Sequence, residues 1–281
     1  MNKRLQEAFK GQGHYVRRRS VDGFIGELEI VKKTYGMESI YFADDLFVWN
    51  KNWLKEFAPK YLEKIGLPFM CTCRADMIDE ERIQYLKEAG CHSVTFGVET
   101  GNDKLRNEIL NKNVTNEQIK YAAHLFKNAG IIFQTSNMFC LPGESVEDAI
   151  KTIDLNIEIG TTSSMSAIFM PFPKTELADQ CIEMKLLKED YTFSDLPNSF
   201  ISYSILKLKD RKTIERLQKV SSLIIQYPKL RGVLIFAAKY IKWDLFHFIL
   251  YLVGTVLRFR EERQISLFDT FVYLWSYRKN V

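Results

Sequence analysis

The sequence lacks the cysteine pattern of a secreted, disulfide-stabilised protein. Its 281 residues contain five cysteines, at positions 71, 73, 91, 140 and 181. An odd number of cysteines without a regular framework is typical of a protein in a reducing compartment. The sequence therefore predicts a cytoplasmic protein whose thiols are not paired.

Strong charge of one sign and long apolar runs are also missing. The net charge is +4, from 39 basic and 35 acidic residues, which is too small an excess to predict nucleic-acid binding. The residues after Met1 are polar, so we expect no signal peptide or amino-terminal anchor. Lys239, Lys242 and Asp244 interrupt the apolar-rich stretch 234–257. This stretch therefore does not provide the roughly 20 apolar residues of a membrane span.

A repeated pattern of helix, glycine and strand runs through the first two thirds of the chain. Apolar residues at helical spacing lead into five glycines, which can take the left-handed conformation that ends a helix: Gly36, Gly66, Gly90, Gly130 and Gly160. Ser20, Thr115 and Ser145 have the side chains that cap helix starts. Each helix precedes a predicted strand, at 39–43, 69–73, 93–96, 131–139 and 164–170.

This alternation limits the architecture to two possibilities. Strands separated by single helices pair in parallel with right-handed crossovers, as in an open doubly wound sheet or a (β/α) barrel. No Gly-x-Gly-x-x-Gly motif follows the first strand, so the dinucleotide-binding sheet loses its main support. We predict an α/β fold with a full or partial (β/α) barrel over residues 1–189. A helical region rich in aliphatic and aromatic residues follows over 190–281.

Polar and turn-forming residues follow four of the predicted strands. They are Asp44 and Asp45, Arg74 with its neighbours, Glu99 to Gly101, and Leu141 to Glu144. Ligands of parallel α/β folds bind at the carboxyl ends of the strands. Singly, these residues also have simpler explanations: the two aspartates can serve just to cap the next helix, and Pro142 with Gly143 can serve just to turn the chain. Four such motifs at four strand ends together favour a binding site.

The same motifs carry a resemblance to a known family. In order, they read Ser-Ile-Tyr-Phe-Ala-Asp-Asp, Cys-Arg-Ala-Asp-Met, Ser-Val-Thr-Phe-Gly-Val-Glu-Thr-Gly, Leu-Pro-Gly-Glu and Pro-Phe-Pro-Lys-Thr-Glu-Leu. Over about residues 15–185 the sequence resembles the radical S-adenosylmethionine (radical SAM) superfamily, and within it the cobalamin-binding type. The resemblance implies a partial (β/α) barrel of parallel strands.

The resemblance also implies which residues lie near S-adenosylmethionine. Ala43, Asp44 and Asp45 take the place of the glycine-glycine-glutamate motif that holds the methionyl amino group, and Arg74 follows the next strand. The remaining positions are Glu99 and Thr100 near methionine and ribose, Cys140, Leu141, Pro142 and Gly143 near adenine, and Met170 and Pro171 at the last strand. Asp45 and Glu99 are the leading candidates. Lys174 departs from the family pattern, because similar sequences carry glycine there.

A larger departure concerns the iron-sulfur cluster. The family binds a 4Fe–4S cluster through Cys-x-x-x-Cys-x-x-Cys, and this sequence contains no such spacing. Cys71 and Cys73 are two apart on a predicted strand and are expected to point to opposite faces. The other cysteines and the four histidines also lack metal-ligand spacing. We therefore predict no metal site, and expect the chain to begin just after the missing motif, without the first barrel strand.

Two functional hypotheses remain open. In complete family members, the reduced cluster cleaves S-adenosylmethionine to a 5′-deoxyadenosyl radical, which serves methylation or another radical transformation, in some members with cobalamin. The chain is then either a truncated part of such an enzyme, which the retained carboxylates favour, or a cluster-free binding or partner protein. We expect a small-molecule or lipid-like substrate. The helical region, whose apolar run is flanked by basic residues, predicts either packing on the barrel or peripheral membrane contact.

Overall fold

A five-stranded parallel sheet organises the chain. The computed structural model describes residues 7–13, 17–263, 266 and 269. Its strands follow one another in chain order, and each pairs in parallel with the next: β1 (Ile40–Phe42), β2 (Phe69–Cys73), β3 (Cys91–Glu99), β4 (Ile132–Phe139) and β5 (Ser163–Ile168). In the described part of the chain β1 and β5 are open edges. The prediction of an α/β fold with a partial, unclosed barrel is confirmed.

Helices separate the strands and continue beyond them. Those of the sheet region are α1 (Val21–Tyr35), α2 (Lys51–Lys64), α3 (Glu80–Glu88), α4 (Asn116–Ala129) and α5 (Val146–Ile159). Those after β5 are α6 (Glu176–Glu183), α7 (Arg211–Gln226), α8 (Arg231–Tyr240) and α9 (Asp244–Arg263). Short 3₁₀ turns lie at Ala75–Met77, Phe193–Asp195 and Pro228–Leu230, and one π-helical turn at Leu105–Ile109.

The helix boundaries follow the predicted capping residues. Ser20, Thr115 and Ser145 accept hydrogen bonds from backbone N–H groups in the first turns of α1, α4 and α5. The glycine predicted to end each of the first five helices has a φ angle between 61° and 82°, which side-chain-bearing residues rarely adopt. Local capping chemistry therefore sets the length of each crossover between strands.

The two faces of the sheet differ in burial. On one face, alternate strand residues pack against helices, as Phe69 does against Tyr61 of α2 and Phe133 against Phe126 of α4. On the other face, Tyr41 of β1 and Met165 of β5 are 59% and 54% exposed. One face is thus the core, while the other is open to solvent.

The expectation for Cys71 and Cys73 is wrong. Both thiols are buried on the helix-facing side of β2, because residues two apart on a strand share a face. Burial raises the pKa of Cys73 well above its usual value, and contact with the Cys71 thiol does so for Cys91. All five cysteines are buried as free thiols. Among the described residues, no group of three histidine, cysteine or acidic side chains could hold a metal ion.

The carboxyl-terminal helices share a core with the end of the sheet. Ile214 and Leu217 of α7 belong to one buried cluster with Ile153 of α5 and Ile168 of β5. Gln218 of α7 also donates from Nε2 to the carbonyl of Ser166, at 2.7 Å. The boundary at residue 190 stays a prediction. No helix in the described ranges has the length and apolar character needed to cross a membrane.

Candidate functional site

The turn after β1 presents two carboxylates to solvent. Asp44 and Asp45 are both exposed, and the carbonyl oxygen of Asp44 accepts a hydrogen bond from the Thr72 hydroxyl of the neighbouring strand. They do not cap α2, because Asn50 does so by accepting from the backbone N–H of Trp53 at 2.9 Å. The capping explanation is therefore wrong, and both carboxylates remain available to a ligand.

A basic and aromatic cavity of about 560 Å³ lies beside this turn. It is lined by Asp44 and Asp45 together with the arginines 17–19. The Arg18 guanidinium lies 5.1 Å from the ring centroid of Trp53. Burial lowers the pKa of Arg18, and the negative charge of Asp44 opposes this shift. The structure thus places Arg18, which was not among the predicted site residues, near the predicted site residue Asp44.

Glu99 ends β3 in an unusual conformation. Its φ angle is 63°, and its carboxylate accepts a hydrogen bond from the ammonium group of Lys112, which also donates to the carbonyl of Gly97 at 2.9 Å. The side chains of Glu99 and Lys112 are only 19% and 15% exposed. A Cβ atom on Gly97 would overlap both charged groups. A side chain at this position would force the two charged groups to shift.

Arg74 joins the same network from the end of β2. Its guanidinium forms two 3.0 Å hydrogen bonds to the carboxylate of Asp76 and donates to the carbonyl of Lys112 at 2.7 Å. The backbone that carries Lys112 is therefore tied to β2, while its side chain is tied to β3. The structure brings together Arg74 and Glu99, two predicted site residues, through a third residue that was not predicted.

The loop that carries Lys112 is built around Arg106, whose side chain is fully buried. Besides pairing with Asp103, its guanidinium donates to the carbonyls of Val98, Thr100 and Val114 and to the side-chain oxygen of Asn116. Burial lowers the pKa of Arg106, and the charge of Asp103 counteracts it. Because one buried side chain binds so many acceptors, it ties together the backbone at both ends of residues 98–116.

Thr100 and Gly101 anchor the end of β3 to α5. The backbone N–H of Gly101 donates to the Thr152 hydroxyl at 2.9 Å, and the Thr100 and Thr152 hydroxyls lie 3.3 Å apart. A Cβ atom on Gly101 would overlap the carbonyl of Lys151. The Thr100 side chain is fully buried. The close approach of backbone to helix thus depends on glycine.

The turn after β4 rests on a buried carboxyl group. Pro142 and Gly143, with φ 77° at the glycine, form a turn closed by a 3.0 Å bond from the N–H of Glu144 to the carbonyl of Leu141. Glu144 Oε2 accepts from the N–H of Leu141 at 3.2 Å. Burial raises the pKa of Glu144 to about 8. The Cys140 side chain belongs to the core, so this segment can offer a ligand its backbone rather than the thiol.

The last strand ends at Ile168 rather than at residue 170 as predicted, so the buried Met170 lies in the turn that follows it. The carbonyl of Pro171 accepts a 2.9 Å hydrogen bond from the Tyr191 hydroxyl. Lys174 has a φ angle of 67°. It therefore keeps the left-handed conformation at the position where similar sequences carry glycine, and the departure leaves the turn in place.

Sequence reasoning missed Lys112 and Arg106. A signal for Lys112 was present, because it stands between Asn111 and Asn113, which both have left-handed φ angles of 49° and 53°. Asparagine is the side-chain-bearing residue that accepts this conformation most readily. Two asparagines around one lysine therefore indicate an ordered turn that presents the lysine.

Comparison with known proteins identifies the family. A model described as the radical SAM superfamily matches residues 8–155, just over half of the 281 residues. An uncharacterized methyltransferase of Pyrococcus horikoshii is 28% identical over 184 residues, which are 65% of this chain and 39% of that protein. The chain thus spans about two fifths of that relative.

Two solved structures share the fold. The radical S-adenosylmethionine methyltransferase TsrM from Kitasatospora setae, with cobalamin and a 4Fe–4S cluster bound, is 22% identical with a TM-score of 0.50, over 58% of this chain and 32% of that one. The cobalamin-dependent radical enzyme OxsB, with aqua-cobalamin and S-adenosylmethionine bound, is 14% identical with a TM-score of 0.55, over 94% and 42%. With the family match, the chain belongs to the radical SAM superfamily, and its fold is shared with these two cobalamin-binding structures.

Proposed function

We propose that the chain binds S-adenosylmethionine at the carboxyl edge of its sheet and supplies this part of the site for a methylation-type radical reaction. The observation that carries the proposal is the carboxylate of Glu99, paired with Lys112 on a loop that the buried Arg106 holds in place. A carboxylate fixed at a strand end can accept hydrogen bonds from ribose hydroxyls or an ammonium group without first being ordered.

The other predicted residues suit complementary parts of the same ligand. The exposed carboxylates of Asp44 and Asp45 would receive the methionyl ammonium group. The backbone of 140–143 would lie along the adenine, where Gly143 lets the chain approach closely. A small-molecule or lipid-like substrate would lie on the open face of the sheet, where Tyr41 and Met165 are exposed.

The 4Fe–4S cluster does not fit the residues of this chain. The sequence has no Cys-x-x-x-Cys-x-x-Cys spacing, and its five thiols are buried, three of them with pKa values raised well above normal. Cluster ligation needs several thiolates that converge on one site, and in the described part of the chain no three potential metal ligands do so. The proposal therefore assigns the cluster, and any cobalamin, to residues outside this sequence. Free buried thiols also support a reducing, cytoplasmic setting.

Missing cluster ligands also favour a second candidate function, a cluster-free protein that binds S-adenosylmethionine or a nucleotide, or serves as a partner to another chain. The two candidates differ in what lies upstream in the gene. An in-frame Cys-x-x-x-Cys-x-x-Cys motif in the coding sequence immediately upstream would decide for the enzyme. Its absence would favour the binding protein.

Calorimetric titration of the 281-residue chain with S-adenosylmethionine tests the binding step that both candidates share. Weak but saturable binding is expected, because the chelation of the methionyl group by iron is missing. The adenosyl product lacks the methionyl group. The difference in affinity between S-adenosylmethionine and this product should therefore be smaller on this chain than on a cluster-bearing enzyme. Failure to bind either compound at millimolar concentration would overturn the proposal.

A further inference from the structure

The outer face of α9 carries an apolar stripe that faces solvent. Its five side chains recur at helical spacing and are between 42% and 56% exposed: Leu245, Phe248, Ile249, Leu252 and Val253. The opposite face of α9 is the one that packs on the protein, where His247 and Gly254 are buried and Gly254 lies against Leu223 of α7. A helix in a soluble fold normally turns its apolar stripe inward. This outer stripe therefore marks an interaction surface.

The preceding helix, α8, also carries exposed apolar and aromatic side chains. Val233, Phe236 and Tyr240 lie along one face of α8 and are between 61% and 70% exposed. Trp243, in the connection from α8 to α9, is 61% exposed. Tyrosine and tryptophan combine an apolar body with a polar tip, which suits the boundary between water and hydrocarbon.

A basic cavity of about 760 Å³ lies at the amino-terminal end of α7. Its charged lining consists of Lys207, Lys209, Arg211, Lys212, Arg216 and Lys242, with the acidic Asp210 and Asp244. Arg211 and Lys212 lie 3.6 and 3.1 Å from the carboxylate of Glu215. Within the described chain, Lys207, Lys209 and Lys242 are exposed and make no ion pair with a carboxylate. The cavity thus keeps unneutralised positive charge.

The basic cavity and the outer stripe form one continuous surface. Asp244 lines the basic cavity and also an adjacent cavity bounded by Leu245 and Phe248 of the stripe. Residues 227–263 contain seven basic and three acidic residues, a net charge of +4, which equals that of the whole chain. Of the charged residues that line the basic cavity, Lys242 and Asp244 lie in this segment, directly before the outer stripe, while the others lie in α7 or just before it.

We propose that α8 and α9 dock the protein on an anionic phospholipid surface, with the outer stripe in the interface and headgroup phosphates against the basic cavity. A purely apolar partner would explain the stripe but not the adjoining cations. An anionic membrane explains both, because interfacial helices combine an apolar face with basic flanks. The helices would lie in the plane of the interface.

Flotation of the full-length protein with vesicles tests this docking. Vesicles of phosphatidylcholine with about one third phosphatidylglycerol should bind the protein, whereas pure phosphatidylcholine should bind it much less. Binding should weaken severalfold when salt is raised from 0.1 to 0.5 M, because surface charges are then screened. Protein that stays in the supernatant with both kinds of vesicle would overturn the proposal.

Paired substitutions separate the apolar from the electrostatic contribution. Ile249→Glu/Leu252→Glu should reduce binding at least tenfold, while the matched control Ile30→Glu/Leu62→Glu, on exposed sites of α1 and α2, should not. Each variant's thermal unfolding shows that it is folded. Equal vesicle binding by the two double variants would count against the outer stripe as the membrane-binding surface.

The charge contribution is tested in the same way. Lys209→Glu/Lys242→Glu should weaken binding at least about thirtyfold, since each lysine near an anionic surface contributes about 1 kcal/mol and each glutamate adds repulsion. Lys55→Glu/Lys87→Glu, at exposed positions of α2 and α3, makes the same change in net charge and should have a small effect. If the chain instead forms a dimer that the α9 variant dissolves, and no vesicle binds it, a second copy covers the stripe and the proposal fails.

Discussion

Lys112 holds its ammonium group against the carboxylate of Glu99, so the charge at the end of β3 is already paired before any ligand arrives. The pair is mostly shielded from water, with both side chains less than one fifth exposed. A shielded ion pair fixes the direction of the carboxylate more firmly than an exposed one does. Glu99 therefore offers a ligand its remaining lone pairs in one orientation.

Substitution of the leading carboxylates should weaken ligand binding. Asp45→Ala and Glu99→Ala are each expected to raise the Kd for S-adenosylmethionine about tenfold or more, the effect of losing one charge-assisted hydrogen bond. Asp22→Ala removes an exposed carboxylate on α1 and is the control, with no expected effect. Calorimetry measures all three. Unchanged binding in both Asp45→Ala and Glu99→Ala would show that the residue roles are wrong.

Loss of the buried arginine should destabilise the loop that holds Lys112. Arg106→Met leaves several buried acceptors without a donor and is expected to lower the free energy of unfolding by about 3 kcal/mol or more. Lys104→Met, two residues away, removes only an exposed charge and should change it by less than about 0.5 kcal/mol. Urea unfolding followed by circular dichroism gives both values. Similar free energies of unfolding for Arg106→Met and Lys104→Met would mean that Arg106 does not organise the loop.

A methyl group at Gly101 should disturb the contact between β3 and α5. Gly101→Ala places its Cβ against the backbone of Lys151, which cannot move without shifting α5. We expect a lower melting temperature and weaker binding of S-adenosylmethionine. In α1 a Cβ at Gly26 meets nothing within 4 Å, so Gly26→Ala should stabilise the protein by about 0.5–1 kcal/mol. Equal changes in stability for Gly101→Ala and Gly26→Ala would contradict the close approach of Gly101 to the backbone of Lys151.

The buried carboxyl group of Glu144 should make stability depend on pH. Its pKa is about 8 in the folded protein and about 4.5 in the unfolded chain, so only the unfolded chain releases the proton between these values. The free energy of unfolding should therefore fall as pH rises from about 5 to 8, by at most about 1.4 kcal/mol per pH unit from this group. Above pH 8 the stabilisation that the protonated Glu144 side chain gives at lower pH is lost.

Glu144→Gln provides the matched test, because it keeps the shape of the side chain without a titrating group. Its unfolding curves at pH 5.5 and 7.5 should differ less than those of the wild type. The variant should also be the more stable protein at pH 8. If Glu144→Gln and the wild type showed the same pH dependence of unfolding, Glu144 would be ionised in the folded state.

Reconstitution with iron and sulfide should not produce a stoichiometric 4Fe–4S cluster on this chain. The reason is the number, spacing and burial of the thiols. Anaerobic reconstitution followed by Mössbauer spectroscopy and iron analysis measures the outcome. A full cluster that disappears in Cys71→Ser or Cys140→Ser would contradict the prediction.

The sequence predicted the parts of the fold that local chemistry decides. Helix starts at Thr115 and Ser145 and helix ends at Gly130 and Gly160 depend on residues within one turn, so they could be placed correctly. The strand predicted over 93–96 is longer, because pairing with β2 and β4 extends it over Cys91–Glu99. Strand ends depend on partners that are distant in sequence.

The site was predicted less completely than the fold. Asp44 and Glu99 were predicted as site residues because they follow strands, and the carboxyl ends of parallel strands lie at one edge of the sheet. The role of Arg106 could not be anticipated, since its acceptors are spread over residues 98–116 and meet only when the loop closes. The Cys71 and Cys73 error had a different origin, namely a mistaken assignment of strand faces.

The core that α7 shares with β5 has a consequence for the order of folding during synthesis. Cys140, which begins the turn proposed to contact adenine, is buried in the same cluster as Ile214 and Ile224 of α7. The loop around Arg106, by contrast, closes on residues near it in sequence. A ribosome-bound chain could therefore complete the Glu99 half of the site early, but the Cys140 half would wait until α7 had emerged.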